Sequence, residues 1–105
     1  MAFLRGEVWA ATLPGMNDEK YYLVVSNNRR NQRLNTCLVV RITTSKKPEI
    51  PSIVILPDRE VLSGRVLCDD IEEMWPEDAR RRLGGLSPAT MSAVDQALAA
   101  ALSLE

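Results

Sequence analysis

The side chains able to do chemistry in this chain are a few cations and hydroxyls on short apolar stretches, because the chain contains no histidine. Any proton transfer must therefore proceed without imidazole. Alternation along residues 34–45 puts Leu38, Val40 and Ile42 on one face and Val39, Arg41 and Thr43 on the other. The first set is core by composition, so Arg41 and Thr43 are expected to project together from the opposite face. An antiparallel neighbour beginning at Lys20 would present its ammonium close by. A lysine stabilises negative charge, and it exchanges protons where burial or neighbouring cations lower its pKa. Zinc chemistry has almost no ligands to draw on. Cys37 and Cys68 form no Cys-x-x-Cys pair, and both lie in apolar strand patterns, where a thiol serves as a small hydrophobe.

The elements that must position these groups are short. Residues 5–12, 20–26 and 34–45 read as three strands, with Pro14-Gly15-Met16-Asn17-Asp18 as a turn between the first two. Asn27-Asn28 opens a polar connection between the second and third, read as a hairpin loop. Residues 52–56 form a short apolar run ended by Pro57, and a fifth strand runs from Arg65 to about Glu72. Five short strands with turns between them suggest a small barrel. Two helices are expected after it. Residues 76–82 begin with proline and two acids and end on Arg80, Arg81 and Arg82, an order that suits the helix dipole, with Gly84 as a C-terminal cap. The last helix has Ser87 as N-cap and Pro88 at its first position, and it carries Met91, Val94, Leu98, Ala101 and Leu102 along one stripe. Leu104 and Glu105 are assigned no role.

With 105 residues, residues 1–105 are expected to form a single domain with one modest core. Hydrophobic residues at 46% and charged residues at 26% argue against disorder. No apolar run reaches the roughly 20 residues of a membrane span, and no secretory signal is visible, so the expected compartment is the cytoplasm. A structural disulfide is not expected there. The net charge of −1 places any polyanion site in a local patch. Arg29, Arg30 and Arg33 follow the second strand, Lys46 and Lys47 follow the third, and Lys20 and Arg41 lie on the strands. Asp69, Asp70, Glu72 and Glu73 read as a solvated or substrate-facing strand edge in preference to a Mg²⁺ site, and no metal or other cofactor is expected.

Arg-Gly-Glu-Val-Trp at the start, Leu-Val-Val-Ser-Asn-Asn closing the second strand and Arg41-Ile42-Thr43-Thr44-Ser45 ending the third together resemble the MazF/PemK toxins. The likeness continues through Leu83-Gly84-Gly85-Leu86-Ser87-Pro88 and covers nearly the whole chain. Members of this family are endoribonucleases of toxin–antitoxin pairs. The resemblance implies an α+β fold with a small SH3-like antiparallel β-barrel of five or six strands, a short helix and a C-terminal helix. It also implies a homodimer in which RNA and the antitoxin tail compete for one groove.

The family's catalytic arginine and threonine fall on Lys20 and Thr43, with lysine standing where arginine is usual. The expected reaction is metal-independent cleavage of single-stranded mRNA at a short sequence, leaving a 2′,3′-cyclic phosphate and a 5′-hydroxyl. Asn27, Asn28, Arg29, Arg30, Arg41, Thr44, Ser45 and Asp69 are the candidate RNA-binding residues. Asn27 and Asn28 also suit a turn, and the arginines after them also suit a solvated loop or an acidic antitoxin tail. The antitoxin is expected to bind through an acidic or amphipathic C-terminal segment. Trp9 is expected to pack, and Trp75 to act as a hydrophobic staple, although either could stack a base. Two rivals use the same fold: a CcdB-type gyrase poison that binds without catalysis, and a degenerate toxin that only binds antitoxin.

Overall fold

A computed structural model describes residues 2–104. Six strands carry the fold: β1 (Glu7–Ala11), β2 (Lys20–Val24), β3 (Cys37–Thr43), β4 (Ile53–Ile55), β5 (Arg65–Met74) and β6 (Ala79–Gly85). Two helices accompany them, α1 (Asn28–Leu34) and α2 (Pro88–Leu102). All pairings are antiparallel, in the order β4-β5-β3-β2-β1-β6, so the barrel-like sheet stays open between β4 and β6.

The sheet is buried on both faces. One core gathers Val8, Leu23, Val40, Ile42, Val66 and Cys68 under Met91, Val94 and Ala97 of α2. The other gathers Phe3, Trp9, Ala11, Tyr22, Val24, Cys37, Val39 and Met74. Trp9 packs edge-on against Phe3, with ring centroids 5.4 Å apart, in the packing role its sequence context suggests. Val39, on the face of β3 that alternation gives to Arg41 and Thr43, lies fully buried in this second core. On α2 the expected stripe holds for Met91 and Val94, with Leu98 partly buried against the same core, whereas Leu102 is exposed and Thr90 and Ala97 are buried as well.

Two expectations are corrected. Residues 76–82 do not form a helix. Pro76–Asp78 makes one 3₁₀ turn, closed by the Trp75 N–H donating to the Asp78 carboxylate at 2.9 Å, and Ala79–Gly85 then pairs with β1 as an edge strand. Gly84 accordingly lies within β6 and caps nothing. Trp75, expected as a hydrophobic staple, is exposed and stands only at the N-cap of that single turn.

The connection after β2 is likewise a helix and not a hairpin loop. Asn27 is its N-cap, accepting the Arg30 N–H at 2.8 Å, and Asn35 ends it in the left-handed region. The polar Asn31 holds α1 to the sheet: fully buried, it donates to the Phe3 and Ser26 carbonyls at 3.2 and 3.1 Å and accepts from the Ser26 hydroxyl at 2.5 Å. Glu105 lies outside the described residues, and Leu104 closes α2 by donating to the Ala99 carbonyl. Among the described residues no helix is long and apolar enough to cross a membrane.

Candidate active site

The register of β2 against β3 decides which side chains meet. Tyr21 lies opposite Ile42 and Tyr22 opposite Arg41, so one further step along each strand sets Lys20 against Thr43. Both are half-buried, at the end of the sheet where β2 begins and β3 finishes. A cleft of about 250 Å³ opens there, lined by Lys20, Arg41, Thr43, Thr44 and Ser45 together with Glu19, Tyr21, Ile42, Leu62 and Ser63.

The hydroxyl of Thr43 accepts the Ser45 backbone N–H at 3.1 Å. That contact occupies an acceptor lone pair and leaves the hydroxyl proton free to be donated into the cleft. Glu19 is tethered to Arg81 of β6, whose Nη1 reaches both carboxylate oxygens at 3.0 Å. Among the described residues no carboxylate pairs with Lys20 or Arg41. The Nε of Arg41 is buried without a hydrogen-bond partner. Leaving a charged donor unpaired costs more than the roughly 1–3 kcal/mol of a neutral one, which marks Arg41 as a group held ready for an anion. The arrangement offers two cations and a hydroxyl donor on one concave wall, which suits a phosphodiester passing through a more highly charged state.

A family model described as PemK-like, MazF-like toxin of type II toxin-antitoxin system matches residues 4–102. The chain belongs to this family. Endoribonuclease MazF1 of Mycobacterium bovis and endoribonuclease MazF4 of Mycobacterium tuberculosis are each 38% identical to it over 101 residues, covering 96% of this chain and 93% of theirs. A mycobacterial endoribonuclease solved in complex with its cognate antitoxin superposes with a TM-score of 0.91 at 38% identity, covering 99% of this chain and 98% of that one. MazF of Deinococcus radiodurans shares the fold at 19% identity, with a TM-score of 0.83 over 98% of both chains.

In this MazF-like toxin the cleft unites Lys20, Thr43, Arg41, Thr44 and Ser45 and leaves the other sequence candidates outside its lining. Asn27 and Asn28 have structural partners, the latter accepting the Arg5 N–H at 2.6 Å. Arg30 braces the start of β3, donating to the Thr36 carbonyl at 2.8 Å and approaching Glu73 at 3.4 Å. Arg29 is exposed on α1, and Asp69 sits in the β5 bulge where the register slips opposite Val40 and Arg41.

Glu19, Leu62 and Ser63 were not foreseen. Glu19 was legible as the neighbour of Lys20, but the approach of residues 62 and 63 depends on a loop far away in sequence. Burial pushes both free thiols, Cys37 and Cys68, up to about 12, so neither is a nucleophile near neutral pH. Among the described residues no group of three or more potential ligands is placed to hold a metal.

Proposed function

We infer that this MazF-type endoribonuclease cleaves single-stranded mRNA at a short sequence without a metal, leaving a 2′,3′-cyclic phosphate and a 5′-hydroxyl. The observation that carries this reading is the meeting of Lys20, Arg41 and Thr43 in one cleft, with both cations unpaired among the described residues. RNA brings its own nucleophile. The 2′-oxygen forms a bond to the adjacent phosphorus, the bond from phosphorus to the 5′-oxygen breaks, and the proton lost by one oxygen is balanced by that gained by the other. The protein must hold the chain in line and stabilise the extra charge on the phosphorane. Lys20 and Arg41 face that charge, and Thr43 donates its hydroxyl proton to a non-bridging oxygen. Thr44 and Ser45 extend the wall along which the strand lies. Single strands fit because their unstacked bases expose the edges a protein reads.

The whole chain acts as one toxin domain in a cytoplasmic homodimer, silenced by a cognate antitoxin whose acidic or amphipathic C-terminal segment competes with RNA. Asn27, Asn28, Arg29 and Arg30 follow β2 at the far end of the sheet from Lys20 and Thr43, so in this reading they and Asp69 meet RNA away from the scissile phosphate. The solved complex of a mycobacterial relative with its own antitoxin supports this partner class.

The test is incubation of antitoxin-free protein with a long defined RNA in excess EDTA, with every end mapped. Cyclic phosphates at one recurring sequence are expected, with Lys20→Ala and Thr43→Ala each folded and inactive, and DNA uncut. Full cleavage by folded Lys20→Ala protein would remove the assigned role. Toxicity that survives Thr43→Ala would point to a poison acting by binding alone.

A further inference from the structure

Residues 57–64, between β4 and β5, supply the cleft wall formed by Leu62 and Ser63. This segment has no regular structure, yet it is fastened along its length. At its neck the Leu56 N–H donates to the Gly64 carbonyl at 2.9 Å, and Gly64 itself rests against the backbone of Thr43. Val61 lies over Gly84 of β6, where a Cβ would come within 2.9 Å of its Cγ1.

The central fastening is Glu60. Its carboxylate accepts the Ser87 N–H at 3.2 and 3.3 Å, the Ser87 hydroxyl at 2.7 Å, and the Thr90 hydroxyl. Ser87 is the N-cap of α2, so the carboxylate sits at the positive end of a 15-residue helix. Burial raises the carboxyl's pKa, but the hydrogen bonds from Thr90 and Ser87, with Arg59 nearby, outweigh it and hold Glu60 below the usual carboxylate range.

We propose that Glu60 is a positioning residue: by latching the 57–64 segment to the start of α2, it holds Leu62 and Ser63 as a preformed wall against the Thr43 end of the cleft. The proposal rests on the reading of this cleft as the RNA site. A loop tied at both ends but free at its middle would leave that wall to be ordered by the substrate, and each turnover would bear that entropy. The latch removes the cost before RNA arrives. Its effect therefore falls on substrate binding more than on the reacting atoms.

The experiment compares wild type, Glu60→Ala, Glu60→Gln and Val94→Ala on a short RNA spanning one mapped cut site, below the melting temperature of all four. Val94→Ala loosens α2 through a core cavity without touching the latch. Glu60→Ala is expected to raise KM about tenfold with kcat changed less than about threefold. Glu60→Gln, which keeps an acceptor oxygen, recovers part of the loss, and Val94→Ala keeps the wild-type KM. Amide exchange across residues 58–63 should quicken in Glu60→Ala relative to both wild type and Val94→Ala.

An unchanged KM with unchanged loop exchange would overturn the proposal. So would an equal rise in KM in Val94→Ala, which would reduce Glu60 to a general contributor to helix stability. If the wild type leaves RNA intact, the ribonuclease reading fails, while the exchange comparison still decides whether Glu60 latches the loop.

Discussion

Replacing Gly64 with alanine should separate two consequences of one close approach. Gly64 has φ +132°, and a Cβ built there would lie 2.5 Å from the Thr43 carbonyl oxygen and 3.1 Å from its carbon. The backbone conformation alone costs an L-residue about 1–3 kcal/mol. The contact is with main chain and not with the end of a flexible side chain, so β3 or the loop must move, for about 1 kcal/mol more. Together these predict a loss of about 2–4 kcal/mol and a melting temperature lower by roughly 10–20 °C for a domain of this size. Gly15→Ala is the matched control: its φ is +85°, but nothing lies within 4 Å of the added atom, so it should lose only about 1 kcal/mol. Urea denaturation of both variants gives the difference between them. Because the displaced atoms belong to Thr43, Gly64→Ala should also lose about tenfold or more in cleavage rate where the protein remains folded. Equal destabilisation of the two variants would refute the close approach, and full cleavage by folded Gly64→Ala would refute the demand for an accurately placed Thr43.

Two further predictions concern the scaffold. Asn31→Leu removes two donors to the Phe3 and Ser26 carbonyls and sets a bulkier apolar group against the Ser26 hydroxyl, and it should cost about 2–4 kcal/mol by chemical denaturation. With their pKa values pushed up to about 12, Cys37 and Cys68 should resist a thiol reagent at pH 8 in the native protein and react promptly once urea exposes them. Stoichiometric labelling of the folded chain would contradict their burial.

The strands that build the cleft were legible because β3 combines a β-branched run with two polar residues near its end, and alternation assigns those two to a shared face. Legibility ended where tertiary partners override local preference. The helix Asn28–Leu34 has no apolar stripe; its anchor is Asn31, a residue that no hydrophobic pattern marks, and Asn27 as a cap was its one local sign. Ala79–Gly85 misled in the opposite direction. Arginine favours helices, and Pro76-Glu77-Asp78 starts one turn, but β1 offers an open edge that the chain pairs with instead. There Arg82 reaches Glu7 at 2.8 Å and Arg81 reaches Glu19, contacts between residues more than sixty positions apart. A charged edge strand also discourages sheet-to-sheet aggregation, a reason for arginines at those positions that a helix reading does not supply.

These long-range pairs also explain how a chain of net charge −1 can attract a polyanion. Glu7, Glu19, Glu73 and Asp95 are each paired with an arginine, Arg82, Arg81, Arg30 and Arg5 respectively, so four acids are neutralised where they stand. Among the described residues Lys20 and Arg41 are left without such partners in a concave wall, where the low dielectric of the protein strengthens their field. Glu19, the carboxylate closest to them in the cleft lining, is the one that Arg81 holds with a single nitrogen on both oxygens. Arg81→Ala should therefore weaken RNA binding even if Arg81 never meets a phosphate, because Glu19 would regain its full charge beside Lys20. Raised salt screens exposed charges over about 8–10 Å, so that defect should shrink as ionic strength rises. A direct phosphate contact by Arg81 predicts the same shrinkage, so the Glu19→Gln background decides: there Arg81→Ala is silent if Arg81 acts through Glu19 and keeps its defect if Arg81 meets a phosphate itself. Binding titrations of a non-cleavable RNA to Arg81→Ala in both backgrounds, at several salt concentrations, distinguish the two. A defect that persists unchanged in high salt would mean that Arg81 acts through the shape of β6 and not through the charge it removes from the cleft.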